Sequence, residues 1–220
     1  MISADLMSLG GQLTQLTQAG IKAVHFDVMD GCFTPMLTVG LPFVNAVKGA
    51  LLKDVHLMIE DPEEKAFDYV NAGADIVTVH LEGCGDAKNF LRELGEMENT
   101  NDADRGLIRG IAINPGTPVE SVEPLFDEIE LIVLLAVDPI AGKNPTMQRT
   151  RERVSSVKGM MSGAKNDILL CVDGGVKKHN ISEFADLKAD LYVSGSALFA
   201  GGAINENASF MLDALKQSGG

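Results

Sequence analysis

Four ionisable side chains interrupt apolar stretches that predict β-strands, and these residues are the ones in the sequence best suited to chemistry. His25 and Asp27 lie in the segment Val-His-Phe-Asp-Val, where a spacing of two puts both side chains on the same face of a strand. His56 lies in Asp-Val-His-Leu-Met, and Asp173 ends Leu-Leu-Cys-Val-Asp. Because burial of such groups without partners is costly, their position in apolar strands indicates a function.

Two imidazoles and two carboxylates at strand ends form a suitable ligand set for one divalent transition metal ion. Taken singly, each residue has a plainer interpretation: a histidine buried in the core with its hydrogen bonds made, or an aspartate that caps the following helix. The occurrence of all four at strand ends favours the metal site. We therefore expect one Zn, Fe, Mn or Co ion, bound by His25, Asp27, His56 and Asp173.

A second signal comes from glycines in the last quarter of the chain. Gly174 and Gly175 follow the strand that ends at Asp173, and Gly195 with Ser196 follows the last predicted strand. Each pair alone is weak, since turns between a strand and a helix favour glycine. In barrels of alternating strands and helices, however, the loops after strands seven and eight often bind phosphate through backbone N–H groups. We predict that these loops bind a phosphate group.

Other polar and sulfur-containing residues lie near the predicted strand ends. Met29 and Met58 follow the predicted ligands and are expected at the rim of the pocket, although methionine is usually core filler. His80 also ends a strand and is expected in the pocket wall, with a role toward metal or substrate left open. His179 is predicted to be an exposed helix-start residue, and Asp30 to bond the local backbone in a turn.

The elements that hold these residues alternate strictly between strand and helix. Short segments rich in Val, Ile and Leu predict strands at Ala23–Val28, Asp54–Met58, Asp75–His80, Ile108–Ile113, Glu130–Val137, Ile168–Asp173 and Asp190–Ser194. Amphipathic segments between them predict helices, for example at Pro42–Leu52, Pro62–Ala72, Val119–Phe126, Thr146–Met161 and Ile204–Lys216. Such alternation predicts a parallel sheet covered by helices on the outside.

The number of strands decides between two architectures. If Ile2–Ser3 is the end of a short first strand, the count reaches eight, which closes a (β/α)8 TIM barrel. The alternative is an open doubly wound sheet, but no GxGxxG-type turn follows the first clear strand. Met97–Arg105 is predicted to be a surface loop, and no linker divides the chain. We expect one barrel domain over residues 1–220.

Composition excludes several classes of function. The net charge is −13 and the pI about 4.6, which argues against nucleic acid or an anionic membrane as the partner. A phosphorylated substrate is still possible, because backbone N–H groups bind phosphate without net positive charge. The cysteines Cys32, Cys84 and Cys171 have no paired spacing, so we expect free thiols. With no membrane span or leader pattern, we expect a cytoplasmic protein.

Seven short strings resemble motifs of the ribulose-phosphate 3-epimerase family and occur in that family's order: ISADL, VHFDVMDG, DVHLM, AGADIVTVH, INPGTP, VDGG and VSGSALF. The resemblance covers almost the whole chain. It implies a single-domain barrel that interconverts D-ribulose 5-phosphate and D-xylulose 5-phosphate in pentose phosphate metabolism. It also implies that the four predicted ligands bind a divalent metal ion, and that Asp27 and Asp173 are the acid/base pair. The same resemblance places substrate contacts at Ser3, Met29, Met58, Gly174, Gly175, Gly195 and Ser196.

The sequence departs from the family pattern at three places. The chain starts at Met1, where the family usually has several further residues, so we expect an upstream segment, another element or a partner subunit to cover the gap. The family's Gly-Phe-Gly-Gly-Gln loop is replaced by residues 140–144, in which Gly142 remains as an expected substrate contact. Leu135 replaces a pocket methionine. These changes leave open a related hexulose or pentulose phosphate as substrate, or an inactive phospho-sugar-binding barrel.

Epimerisation beside a carbonyl removes a weakly acidic proton and returns one to the opposite face. Two carboxylates can exchange roles as base and acid, while a divalent metal stabilises the enediolate as a Lewis acid. A barrel decarboxylase would need a lysine at a strand end to protonate its carbanion, and a Schiff-base aldolase would need one too. No predicted strand end carries a lysine. We expect an isomerase that acts on a small sugar phosphate and forms a homo-oligomer.

Overall fold

The computed structural model describes residues 1–142 and 145–217. Seven parallel strands form one sheet whose spatial order follows the chain, in a nearly closed barrel. The strands are β1 (Ala23–Met29), β2 (Leu52–Met58), β3 (Ile76–His80), β4 (Ile108–Ile113), β5 (Leu131–Leu135), β6 (Leu169–Asp173) and β7 (Leu191–Val193). The predicted TIM-barrel fold is confirmed, and each of the seven clear strands lies within two residues of its predicted bounds.

Helices connect successive strands and cover the outside of the sheet. They are α1 (Leu9–Gln18), α2 (Leu41–Ala46), α3 (Pro62–Asn71), α4 (Ala87–Leu94), α5 (Met147–Met161), α6 (Ile181–Ala185), α7 (Ser196–Phe199) and α8 (Ile204–Gln217). Three 3₁₀ segments lie at Leu81–Gly83, Val119–Glu128 and Ala200–Gly202. Within the described residues, no helix is both long and apolar enough to cross a membrane.

Alternation along the strands separates two apolar regions. Phe26 and Val28 of β1 belong to the large core between the sheet and the helices. A smaller cluster fills the barrel interior and comprises Ile76, Ala112, Leu131, Val133, Leu135 and Cys171. Because successive side chains point to opposite faces, His25 and Asp27 face the interior while Phe26 faces the helices. The predicted shared face of His25 and Asp27 is therefore the inside of the barrel.

The sheet is not continuous between β7 and β1, where the N-terminal segment lies. Ile2 and Ser3 form a turn rather than a strand, closed by a hydrogen bond from the Ala4 N–H to the Met1 carbonyl at 3.0 Å. The Met1 nitrogen donates to the His25 carbonyl at 2.5 Å, and the Met1 side chain is buried. The segment thus covers the upper part of the gap, beside the end of β1 that carries Asp27.

Two predicted helices differ from the structure. The helix predicted over Pro42–Leu52 ends at Ala46, because Gly49 adopts a φ of 148° and Leu52 already pairs with Ala23 as the first residue of β2. The segment predicted as a helix over Val119–Phe126 is a 3₁₀ helix that contains Pro124, whose ring removes a backbone donor. Both changes lie away from the strand ends that carry the ionisable residues.

A polar cluster fixes the amino-terminal end of the barrel, with Lys53, Asp75 and Asn99 buried and its other members exposed. We call it the base cluster: Lys53, Asp75, Asn99, Asn101 and Arg105. One oxygen of Asp75 accepts from the Lys53 backbone N–H at 2.7 Å, and the other accepts from the side chains of Asn99, Asn101 and Arg105. The Lys53 ammonium donates to the Ala72 carbonyl at 2.7 Å and the Val44 carbonyl at 3.2 Å. The predicted loop Met97–Arg105 is thereby tied to the barrel.

Candidate metal and substrate site

Three strands bring the four predicted metal ligands together at the carboxyl end of the barrel. Asp27 of β1 pairs in register with His56 of β2, and Asp173 ends β6. His25 Nε2 lies 3.3 Å from Asp27 Oδ1 and 3.7 Å from Asp173 Oδ2, and His56 Nδ1 lies 3.4 Å from Asp173 Oδ2. One ligand atom from each of the four residues lies within 4.8 Å of the others.

Three ring nitrogens of this group lack hydrogen-bond partners among the described residues, as expected for atoms that bind a metal ion. His25 Nε2 and both ring nitrogens of His56 are buried without a hydrogen-bond partner. The contact of His56 with Asp173 therefore lacks hydrogen-bond geometry, although it is short. Ligand atoms about 2.0–2.2 Å from a shared ion lie no more than about 4.4 Å apart, so a group whose atoms lie within 4.8 Å of one another needs to contract only slightly to hold an ion. The four residues form a group that can bind one divalent cation.

The charges in this group depend strongly on one another. Burial alone would lower the pKa of His25, but the carboxylates of Asp54 and Asp27 raise it well above its ordinary value. Burial likewise favours a higher pKa for Asp27, but the neighbouring His25 holds it below the usual range. Asp27 is therefore ionised, as both a metal ligand and a general base must be.

Asp54 contacts His25 of this group and is not among the site residues predicted from the sequence. Its Oδ2 lies 2.6 Å from His25 Nδ1, on the side of the ring opposite the metal-binding group. The motif Asp-Val-His-Leu-Met offered a signal, since a spacing of two puts Asp54 on the same face of β2 as His56. Its partner, however, is set by the pairing of Asp54 with His25 between β1 and β2. That register is not visible in the sequence.

A cavity of about 430 Å³ opens beside the metal-binding group, along the gap between β1 and β7. It brings together most of the predicted site residues: Ser3, His25, Asp27, Asp173, Gly174, Gly175, Gly195 and Ser196 all line it. His56 is fully buried next to it. Apolar side chains line its lower part, among them Leu169 and Leu191, which are the first residues of β6 and β7.

The glycines in the cavity wall have structural reasons to be glycine. Gly174 has a φ of 103°, and a Cβ there would lie 2.9 Å from Val137 Cγ2. A Cβ on Gly195 would lie 2.8 Å from Ser3 Oγ, so the N-terminal turn packs directly on the loop after β7. Backbone at both positions can approach a ligand closely. The two loops predicted to bind phosphate therefore reach the same cavity.

Three predicted substrate contacts do not line the cavity. Met29 and Met58 are paired in register at the ends of β1 and β2, and Met58 is buried. Gly142 has a φ of 63° and closes a turn by donating to the Asp138 carbonyl at 2.8 Å. Lys143 and Asn144 of the same loop lie outside the described residues. Contacts from Met29, Met58 and Gly142 to a substrate stay predictions.

His80 lies beside the metal-binding group and packs against two rings. It stacks on His56 with ring centres 4.9 Å apart and an interplanar angle of 11°, and its other neighbour is Phe33. Its Nδ1 lies 3.1 Å from Glu82 Oε2, while its Nε2 is buried without a partner. Burial lowers the pKa of His80. Although a place in the pocket wall is predicted for His80, this residue does not line the cavity and instead packs against the His56 ring.

Two further residues behave as predicted. Asp30 accepts hydrogen bonds from the backbone N–H groups of Cys32 and Phe33 at 2.9 and 3.0 Å. It also accepts from Glu60 N–H, which links the loops after β1 and β2. His179 is exposed at the start of the segment that leads into α6. Neither residue belongs to the cavity.

Comparison with known proteins assigns the family. A model of the ribulose-phosphate 3 epimerase family matches residues 1–199. The chain belongs to this family. Ribulose-phosphate 3-epimerase of Bacillus subtilis (strain 168) is 35% identical over 202 residues, which cover 90% of this chain and 89% of the relative. The enzyme of the same name from Escherichia coli (strain K12) is 33% identical, covering 90% and 86%.

Solved structures show a similar fold at low sequence identity. The crystal structure of KGPDC from Streptococcus mutans superposes with a TM-score of 0.66 at 15% identity, covering 96% of this chain and 93% of that one. At this level of identity the similarity supports the barrel fold alone. The family assignment rests on the sequence relatives.

Proposed function

We propose that this chain is a metal-dependent 3-epimerase that interconverts D-ribulose 5-phosphate and D-xylulose 5-phosphate. Membership of the epimerase family makes it an isomerase that acts on carbohydrates. The observation that carries the proposal within the structure is the buried group of His25, Asp27, His56 and Asp173, which opens onto a cavity wide enough for a sugar phosphate. One barrel domain over residues 1–220 is proposed to hold the whole activity.

The four residues of the buried group are proposed to hold one Zn, Fe, Mn or Co ion. Mixed imidazole and carboxylate ligands suit these ions. A bound ion would supply Lewis-acid stabilisation for the negative charge that develops on the substrate oxygens. The protein contributes the geometry: the ligands lie on three different strands of a rigid sheet, so their positions relative to one another are fixed before substrate arrives.

Asp27 and Asp173 are proposed to move the proton. They lie on β1 and β6 and reach the cavity from different strands, so a sugar between them presents a different face to each carboxylate. Asp27 is ionised and is the base for one epimer, while Asp173 returns a proton to the opposite face. The roles exchange in the reverse direction, as a two-base mechanism requires.

The remaining lining residues are proposed to bind the rest of the substrate. Backbone N–H groups around Gly174, Gly175, Gly195 and Ser196 would hold the phosphate, because they line the cavity and a glycine exposes its backbone. Ser3 would contact the sugar hydroxyls from the N-terminal turn. Use of backbone groups agrees with the acidic composition, since binding then needs no cluster of Lys or Arg.

A different ketose phosphate is the second candidate substrate. Residues 140–144 replace the glycine-rich loop of the family, and the Asp138 carboxylate accepts from Ile140 and Ala141 N–H at 2.9 and 2.8 Å in this chain. Those donors are therefore occupied within the loop and are not free for phosphate. Among the described residues no lysine ends a strand, which disfavours the decarboxylase and Schiff-base aldolase chemistries.

The test is proton exchange in D₂O with a panel of pentulose and hexulose phosphates. Deuterium incorporation at the carbon beside the carbonyl, followed by NMR, reports the chemistry whichever substrate is correct. We expect the fastest incorporation with D-ribulose 5-phosphate. Faster exchange with a hexulose phosphate would show that this sugar is the substrate, and it would leave the proposed mechanism unchanged. No exchange with any member of the panel would favour an inactive sugar-phosphate-binding barrel. Assembly as a homo-oligomer stays a prediction.

A further inference from the structure

Asp54 lies inside the barrel next to the metal-binding group but does not belong to it. It is paired with His25 in the register of β1 and β2, and its side chain is about nine-tenths buried. Asp54 Oδ2 lies 2.6 Å from His25 Nδ1, while Asp54 Oδ1 has no hydrogen-bond partner. Burial of a carboxylate with so few hydrogen bonds is energetically unfavourable, since His25 is the partner of one oxygen and the other oxygen has none.

The contact determines which nitrogen of His25 is available to a metal ion. An ionised carboxylate only accepts hydrogen bonds, so His25 Nδ1 must carry a hydrogen. In the neutral ring His25 Nε2 then has a free lone pair. That atom lies 3.3 Å from Asp27 and 3.7 Å from Asp173, and it has no hydrogen-bond partner. The lone pair therefore points to the place where the other ligands converge.

We infer that Asp54 is a positioning residue that fixes the tautomer and the ring orientation of His25 for metal binding. The inference rests on the metal site of the proposed function and assigns to Asp54 a role in support of one of its ligands. A carboxylate behind a histidine ligand holds the ring, raises its basicity and strengthens metal binding. Asp54 lines the same cavity but is not one of the four residues of the metal-binding group, so its effect on the ion is exerted through His25.

His56 provides an internal contrast. Both of its ring nitrogens lack a hydrogen-bond partner, so no carboxylate fixes its tautomer. Its ring is held by packing: edge-on to His25 at 5.3 Å and stacked on His80 at 4.9 Å. The two histidines are thus positioned in different ways, and only His25 depends on a charge. Loss of the Asp54 charge is therefore expected to change metal affinity through one ligand.

The experiment measures the Zn²⁺ dissociation constant of the full chain by competition with a chromophoric chelator. Asp54→Asn keeps the volume but removes the charge, and its amide group can face His25 with a donor and so select the wrong tautomer. We expect Zn²⁺ to bind 10–100-fold more weakly to this variant. Thr78→Val is the matched control, because Thr78 is a fully buried polar residue of β3 that pairs with His56 and is nearly isosteric with valine. Its dissociation constant should equal that of the wild type.

Equal Zn²⁺ affinity of the wild type and a folded Asp54→Asn variant would overturn the inference while leaving the metal site intact. An absence of Zn²⁺ binding in the wild type would overturn the metal site as well, so the two failures are distinguishable. Long-range ¹H–¹⁵N correlation spectra of the Zn²⁺-bound wild type decide the matter if the variant does not fold. They should show His25 protonated at Nδ1 and metal-bound at Nε2, and the reverse assignment would contradict the inference.

Discussion

Two polar groups with buried members lie at opposite ends of the same barrel, and they differ in how fully their hydrogen bonds are made. At the amino-terminal end, the base cluster satisfies its carboxylate: each oxygen of Asp75 has donors, and the Lys53 ammonium donates to two helix-end carbonyls. At the carboxyl end, three ring nitrogens of His25 and His56 have no partner among the described residues. The hydrogen bonds of the first group are made within the protein, as expected for a group that stabilises the fold. The second group has free nitrogen atoms, as expected for residues that bind a metal ion.

The difference indicates which end of the barrel is less stable than it could be because its residues serve a function. Unsatisfied buried polar atoms destabilise a protein, so they persist where a ligand later satisfies them. In TIM barrels the carboxyl-terminal face carries the active site and the opposite face serves stability. The comparison therefore makes opposite predictions for the two ends. Changes at the carboxyl end should remove activity, and changes at the base should remove stability.

The largest effect is expected from the carboxylates of the metal-binding group. Asp27→Asn and Asp173→Asn should each lower the rate of epimerisation by about 10²–10⁴ or more, since each removes a proposed proton carrier and a charged group at nearly constant volume. The measurement is solvent-deuterium exchange and turnover at saturating substrate, with circular dichroism as the check of the fold. Near-wild-type turnover in either variant would remove that residue from the two-base mechanism.

The base cluster should show the reverse behaviour. Asp75→Asn removes the negative charge that faces Arg105. It also replaces one of the accepting oxygens by an NH₂ group, which would then face other hydrogen-bond donors. We therefore expect the free energy of unfolding to fall by about 3 kcal/mol. Urea denaturation measures this loss, and Asp104→Asn in the same loop, where the side chain is exposed, is the control. Turnover per folded molecule should be unchanged. A large loss of turnover would contradict the proposal that the carboxyl end serves activity and the amino-terminal end serves stability.

A smaller effect is expected where the N-terminal turn meets the loop after β7. In Gly195→Ala the new methyl group would lie 2.8 Å from Ser3 Oγ, so the Ser3 side chain must leave its position in the cavity wall. We expect KM to rise about tenfold, equivalent to about 1.4 kcal/mol of substrate binding, with metal affinity unchanged. Steady-state kinetics with the metal-loaded protein measures the effect. An unchanged KM would show that Ser3 does not contact the substrate.

The smallest effect concerns Glu82, which lies at the carboxyl end but is fully satisfied. Its oxygens accept from Asn114 N–H at 2.8 Å and from the Thr117 hydroxyl, and they contact His80 at 3.1 Å. Burial would raise its pKa, but these donors lower it from 4.5 to about 2.

A folded-state pKa below the ordinary value means that the stabilisation by Glu82 is complete above about pH 4.5 and is lost as the pH falls toward 2. The stability difference between the wild type and Glu82→Gln should therefore shrink between pH 6 and pH 3. Denaturation curves across that range, with the exposed Glu96→Gln as the control, measure it. A constant difference would show that the charge of Glu82 contributes nothing.

The sequence predicts the strands and the four ligands for the same physical reason. A strand buried on both faces is almost wholly apolar, so His25, Asp27, His56 and Asp173 stand out in their segments, and each has a fixed face. Asp54 and Asp75 are equally polar in the sequence, but their roles depend on partners 29 and 22 to 30 residues away. Cross-strand register and loop contacts decide such partners, and neither follows from a local pattern.

The most direct measurement is a Co²⁺ titration of the metal-free protein, followed by visible absorption. If the four-residue group is a metal site, absorption should saturate at one equivalent in the wild type. His56→Leu, which removes one ligand, should lose this saturation, while Asp75→Asn at the opposite end should keep it. Linear, unsaturated binding in the wild type, or equal saturation in His56→Leu, would contradict the assignment of His25, Asp27, His56 and Asp173 as the metal ligands.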